Sequence, residues 1–131
     1  MDTRRERLIY HTLLGLLWLP LLLYTAWQAY HAREPRYLRQ RFGLFERGGT
    51  LRPLWFHAAS VGEVNALLPL IEVIRKHQPT LPLLVTTTTL SGAATVRKKL
   101  PAEVRHAWLP LDYPGAVRRF FNAYIPRCAV I

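Results

Sequence analysis

Cysteine is nearly absent from this sequence. Cys128 stands alone among 131 residues, so no internal disulfide can staple the chain, which fits a reducing compartment. Between Arg127 and the apolar Ala129 and Val130, it reads as a core residue. Acidic residues are scarce as well. Eight Asp and Glu stand against eighteen Lys and Arg, a formal net charge of +10, which points to an anionic partner: phosphates, nucleic acid or an anionic membrane surface. There is no G-x-G-x-x-G and no G-x-x-x-x-G-K-[ST], so a standard dinucleotide or P-loop site is not expected. No Cys/His spacing suggests zinc. Internal repeats and low-complexity tracts are missing too, and the length leaves room for one modest domain at most.

Long apolar runs are present, and they are concentrated at the start. Leu8 to Trp27 carries no formal charge and is rich in leucine. As a helix it would be about 30 Å long, the thickness of a bilayer core. Tyr10, Trp18, Tyr24, Trp27 and Tyr30 include residues suited to the membrane interface. Pro20 would kink a soluble helix but is tolerated in lipid. A cleaved signal peptide is the rival reading, but the run is long for one and large residues follow it. A buried core helix is the third. The reading adopted is a membrane anchor over residues 1–30. Arg33, Arg36, Arg39, Arg41 and Arg47 follow the run against Arg4, Arg5 and Arg7 before it, which favours the following residues on the cytoplasmic side. A helix that enters one leaflet without crossing is the alternative.

Residues 31–53 contain Pro35, Gly43, Gly48, Gly49 and Pro53 and read as a connector. Tyr37, Leu38, Phe42, Leu44 and Phe45 are interleaved with arginines. Two readings stand side by side: an interfacial segment with arginines on anionic headgroups, or a turn and short helix packed on the domain. Because the arginines flank an apolar helix, no nucleic-acid partner is expected.

From Leu54 the pattern alternates. Strands are predicted at Leu54–Phe56, Leu83–Thr87 and Arg105–Leu109, with a fourth beginning at Cys128. Helices are predicted at Gly62–Lys76, Ser91–Lys99 and Pro114–Tyr124, with Pro69 expected to kink or break the first. Such alternation implies an α/β fold with a parallel, doubly wound sheet over residues 54–131. A sheet that stops on its fourth strand, at Ile131, predicts that the chain is the N-terminal part of a longer protein.

Polar residues gather where strands run into helices. Ser60-Val61-Gly62-Glu63 matches the capping box S-x-x-E, in which Ser60 accepts from the Glu63 N–H and Glu63 reaches back to Ser60. The same carboxylate could serve as a base. Thr86 to Thr89 followed by Leu90-Ser91-Gly92 could hold a phosphate or sugar. The plain alternative is β-propensity with Ser91 as a cap. Asp112 before Tyr113-Pro114 reads as a third cap. His57 and His106 read as packed or loop residues.

Trp55-Phe56-His57-Ala58-Ala59-Ser60-Val61-Gly62-Glu63-Val64-Asn65-Ala66 resembles the signature of the 3-deoxy-D-manno-octulosonic acid (Kdo) transferases. Three further stretches agree in order: Thr86-Thr87-Thr88-Thr89-Leu90-Ser91-Gly92, Leu109-Pro110-Leu111-Asp112 and Ala116-Val117-Arg118-Arg119-Phe120-Phe121. The resemblance spans nearly the whole chain. It implies the N-terminal, Rossmann-like, acceptor-binding domain of a GT-B glycosyltransferase, preceded by an anchoring helix at the bacterial inner membrane with the catalytic region in the cytoplasm. Such enzymes transfer Kdo from CMP-Kdo to a lipid A precursor in lipopolysaccharide biosynthesis, without a cofactor or catalytic metal. The glutamate at Glu63 is then the general base, and Ser60, Gly62, Thr88, Thr89, Ser91 and Gly92 bind the acceptor or line the cleft. The sequence departs from the family by ending before the acidic motif after the fourth strand and before the donor domain, so the fragment alone is expected to be inactive. The alternatives are a non-catalytic membrane-anchored fragment and another membrane-associated GT-B glycosyltransferase.

Overall fold

The computed structural model describes residues 3–46 and 52–131; the part of the expected connector at 47–51 lies outside the described residues. The chain divides into two compact units, Met1–Leu38 and Arg39–Ile131, each described by itself.

In the first unit, α1 (Thr3–Ala32) runs through Pro20 without a break. Leu8, Ile9, Leu13, Leu16, Leu17, Leu19 and Leu23 are all exposed on it. The helix is present as expected, but its crossing of a bilayer is not supported: among the described residues no helix is long and apolar enough to cross a membrane. Thr12, Gly15, Trp18, Pro20 and Tyr24 interrupt its leucines. The short helix α2 (Pro35–Arg41) follows. Tyr37 Oη donates to Gln28 Oε1 at 2.7 Å, and Gln28 Nε2 donates to Tyr24 Oη at 3.0 Å, which ties the end of α1 to the start of α2.

The second unit is an α/β sandwich around a four-stranded parallel sheet, as the alternating pattern predicts. Its strands are β1 (Leu54–Ala58), β2 (Leu83–Thr87), β3 (Arg105–Trp108) and β4 (Cys128–Val130), in the order β3-β2-β1-β4. Register pairs Leu54 with Leu83 and His57 with Thr86 on one side of β1, and Leu54 with Cys128 on the other. The order reverses at β1, and it is compatible with a Rossmann-like domain. The helices are α3 (Val61–His77), α4 (Leu90–Lys99) and α5 (Pro114–Tyr124).

Period-two alternation along the strands feeds two apolar cores. Phe56, Ala58, Leu83 and Val85 pack with Val64 and Ile71 of α3 and Val96 of α4. On the opposite face, Trp55, Leu84 and Ala107 pack with Phe120, Ala123 and Tyr124 of α5. Each large apolar side chain so buried contributes about 2 kcal/mol. This two-sided cover is what lets β2 be buried at every residue.

Within residues 39–46, Gln40, Arg41, Phe42 and Phe45 are bonded to or packed on the rest of this unit. Gln40 Oε1 accepts from the Trp108 N–H at 2.8 Å, and Arg41 Nη1 donates to the Leu109 carbonyl at 2.7 Å. The Phe42 carbonyl accepts from Tyr113 Oη and Arg119 Nη1, both at 3.0 Å. The Phe45 ring meets Phe120 and Tyr124 with centroids 5.4 and 5.5 Å apart.

Three local expectations are corrected. Pro69 does not end α3, which continues to His77. The proline is exposed and its missing N–H leaves only the Asn65 carbonyl without its helical donor. Cys128 is exposed, not core: β4 is an edge strand with β1 as its neighbour in the sheet. Asp112 is not a cap. Tyr113 occupies the N-cap of α5 without a side-chain bond, and Pro114 follows at the first helical turn, where its fixed φ suits the helix.

Candidate functional site

A two-residue turn, Ala59-Ser60, joins β1 to α3 at the carboxyl end of β1. In open α/β sheets, ligands bind in the crevice outside the strand ends where the order reverses, and here that strand is β1. Ser60 takes an extended conformation (φ −129°, ψ 166°) and caps α3, its Oγ accepting from the Glu63 N–H at 3.3 Å. The Ser60 hydroxyl also approaches Glu63 Oε1 at 3.4 Å. The capping box is therefore formed, with one displacement. Glu63 Oε2 accepts from the N–H of Ala59 at 2.8 Å, one residue before the cap, not from Ser60. This leaves the carboxylate exposed and aimed back along β1.

Gly62 is exposed beside it. A Cβ there would meet only Ser60 Oγ, at 3.8 Å, so packing within the protein does not demand a glycine. What the glycine supplies is bare backbone next to the carboxylate.

The second loop, between β2 and α4, joins the first. Thr88 Oγ1 and Thr89 Oγ1 both donate to the Ala59 carbonyl, at 3.3 and 3.0 Å. Thr89 is also the N-cap of α4, its Oγ1 accepting from the Gly92 N–H at 3.1 Å. Ser91, a cap in the plain alternative and a cleft residue by the resemblance, does not cap α4 but lies exposed in its first turn. Gly92 is required sterically, because a Cβ would come within 2.9 Å of Thr89 Oγ1. The structure thus brings Ser60, Gly62 and Glu63 together at the start of α3, and Thr88 and Thr89 bond the Ala59 carbonyl of the same turn, with Gly92 in the first turn of α4. The two threonine hydroxyls are engaged within the protein.

Three side chains whose bonding to one another the sequence reading does not foresee lie behind this turn. Trp55 Nε1 donates to Thr86 Oγ1 at 2.8 Å, and His57 Nδ1 lies 3.0 Å from the same oxygen. Trp55 and His57 are two residues apart on one face of β1, and Thr86 is the register partner of His57; a polar pair at matched strand positions was the available signal. Burial lowers the His57 pKa below its usual value, while the Glu63 charge and a backbone hydrogen bond at Thr86 oppose the shift. His57 is therefore neutral near pH 7 with a carboxylate as its charged neighbour.

Not every arginine is available for anions. Arg75 donates to the Pro79 and Leu81 carbonyls, both at 2.8 Å, and Arg41 and Arg119 serve the backbone as described above.

A family profile described as "3-Deoxy-D-manno-octulosonic-acid transferase (kdotransferase)" matches residues 36–131. The 3-deoxy-D-manno-octulosonic acid transferase of Haemophilus influenzae is 35% identical over 104 residues, covering 76% of this chain and 24% of its own length. That of Bordetella pertussis is 39% identical over 84 residues, covering 60% and 19%. A probable 3-deoxy-D-manno-octulosonic acid transferase of Arabidopsis thaliana, mitochondrial, is 36% identical over 96 residues, covering 70% and 21%. The chain spans about a fifth to a quarter of the length of these relatives. No solved structure gives a significant match.

Proposed function

The chain belongs to the 3-deoxy-D-manno-octulosonic-acid (Kdo) transferase family, and from that premise we propose that it is the acceptor side of a GT-B glycosyltransferase that moves Kdo from CMP-Kdo to a lipid A precursor. The donor side is assigned to a second domain, so this chain alone is not expected to turn over CMP-Kdo. The observation that carries the reading is the Glu63 carboxylate, exposed at the end of β1 where the strand order reverses and held by the Ala59 N–H at 2.8 Å.

The chemistry follows from that placement. A sugar hydroxyl of the acceptor loses its proton to Glu63 as its oxygen attacks the anomeric carbon of Kdo. The bond from that carbon to the phosphate of CMP breaks, and CMP leaves with the electron pair. A single attack from the face opposite the leaving group inverts the anomeric centre. A carboxylate within hydrogen-bond reach of the hydroxyl is the general base, and bare backbone at Gly62 lets the sugar approach.

A lipid acceptor is supported by the outer face of α3. Gly62, Ala66, Pro69, Leu70 and Val73 are exposed along it, with Leu70 43% and Val73 54% accessible. They form an apolar stripe that starts beside Glu63. Membrane attachment is supported by the exposed leucines of α1, and the arginines after it favour the cytoplasmic face of the inner membrane.

The test is Glu63→Gln in the full-length protein. The glutamine carbonyl can still accept from the Ala59 N–H, so the fold is kept, but it cannot take a proton at neutral pH. Transfer from CMP-Kdo is expected to slow at least ~100-fold, the low end for general-base catalysis. A variant within a few-fold of the parent rate would end the assignment. Turnover of UDP-sugars instead of CMP-Kdo would replace the donor.

A further inference from the structure

Residue 59 is gripped on both of its backbone groups. Its N–H donates to Glu63 Oε2 at 2.8 Å, and its carbonyl accepts from Thr88 and Thr89 at 3.3 and 3.0 Å. A carbonyl oxygen has two lone pairs, and here two hydroxyls meet it. Thr89 is fixed in turn, because the Gly92 N–H at the start of α4 donates to its oxygen at 3.1 Å. Gly92 is the residue whose side chain would have pushed that oxygen away. A continuous hydrogen-bonded path therefore runs from the first turn of α4, through Thr89, to the residue that holds the carboxylate. Ala59 has no polar side chain to fix itself, and it sits between the last residue of β1 and the cap of α3. Among the described residues, the two threonine hydroxyls are the side chains that hold its carbonyl.

We propose that Thr88 and Thr89 are positioning residues of the transferase: through the Ala59 carbonyl, the β2–α4 loop sets the aim of the Glu63 carboxylate on the β1–α3 turn. Their hydroxyls serve the base and do not bind the acceptor. This rests on Glu63 being the base. Transition-state geometry is steep in this respect, since a displacement of about 1 Å at a reacting group costs roughly 100-fold.

The test is a kinetic cycle on the full-length protein, with CMP-Kdo and a lipid A precursor as substrates. The variants are Thr88→Val with Thr89→Val, Glu63→Gln, the combination of all three, and Thr89→Ser. The double valine variant is expected to lose about 100-fold in kcat while KM for the acceptor stays within about twofold. Serine keeps both the cap and the donor and is expected to restore the rate. On the Glu63→Gln background the valines are expected to cost nothing more, because groups acting through one residue are not additive. The double variant also loses a helix cap, so its melting temperature falls in any event, and rates are compared well below it. A raised KM with kcat intact overturns the proposal, since the threonines would then touch the acceptor. Unchanged kcat and KM overturn it as well, leaving a purely structural bond. Full additivity with Glu63→Gln also overturns it. These outcomes leave the base assignment standing, whereas a Glu63→Gln variant at the parent rate removes both.

Discussion

The Glu63 side chain reaches one residue further back than the capping box requires. Glu63 takes the Ala59 N–H and not the Ser60 N–H, and this cannot be read from the spacing S-x-x-E, which fixes the helix start but not which backbone donor the carboxylate finds. Ser60 alone bonds the Glu63 N–H, so Ser60→Ala is expected to lower stability by about 1 kcal/mol, as N-cap losses do; thermal denaturation measures it. His57 gives a second expectation at this scale. Its folded pKa lies below the usual value of 6.5, so above that value neither state carries the proton and the residue costs nothing. As pH falls through 6.5 toward the folded value, the unfolded chain binds the proton first and stability is lost. Melting temperature followed from pH 7.5 to 5 is expected to fall less in His57→Gln than in the parent. Equal slopes would show that His57 does not titrate differently on folding. The sequence displayed His57 plainly, but its burial depends on Trp55 and Thr86 from two strands, a pairing known only once the register is known.

Elements were the most legible scale, because apolar periodicity reports burial directly. β2 and α5 have the bounds that the pattern gives, and the other strands and helices differ by a residue or two at their ends. The misreadings share a cause. Residue type alone misplaces Pro69, Cys128 and Asp112, because Pro69 sits on the exposed side of α3, Cys128 on an edge strand and Asp112 one residue before the N-cap of α5. Two element ends yield predictions. α5 closes on Ile125 in the left-handed region (φ 46°, ψ 57°), where a β-branched residue is strained by roughly 1–2 kcal/mol. Ile125 is exposed, so Ile125→Gly is expected to raise stability by about 1 kcal/mol, read from a chemical denaturation midpoint with an unchanged slope. Gly43 is the opposite case. It has φ +82°, and a Cβ there would lie 2.7 Å from Ala116 Cα on α5. Gly43→Ala is expected to cost roughly 3 kcal/mol, from the left-handed backbone together with overpacking. A loss below about 1 kcal/mol would show that residues 39–46 can leave α5 freely.

At the scale of the molecule, the two units carry different chemistry. The sheet unit buries an apolar core on each face of its sheet, while α1 leaves its leucines exposed. Deleting residues 1–30 from the full-length protein is expected to shift it, at least in part, from membrane to soluble fractions. Both forms fractionating as soluble at low and high salt would remove the anchoring role. The sequence announced an apolar helix here, but not how far it enters a bilayer, because length and leucine content do not distinguish spanning from lying in one leaflet. The strand order has a further consequence, in time rather than in space. β1, β2 and β3 are neighbours in sequence as well as in the sheet, so they can pair as each successive crossover closes. The other side of β1 has to wait, since Leu54 meets Cys128 only after all three crossover helices have been made. Until then Trp55 and Phe56 lie on an open edge, and edges of this kind recruit other chains. The strand that leads into the Glu63 turn therefore gains its second neighbour only after α5 has been made, and refolding yield is expected to fall with protein concentration more steeply than the native stability alone would require.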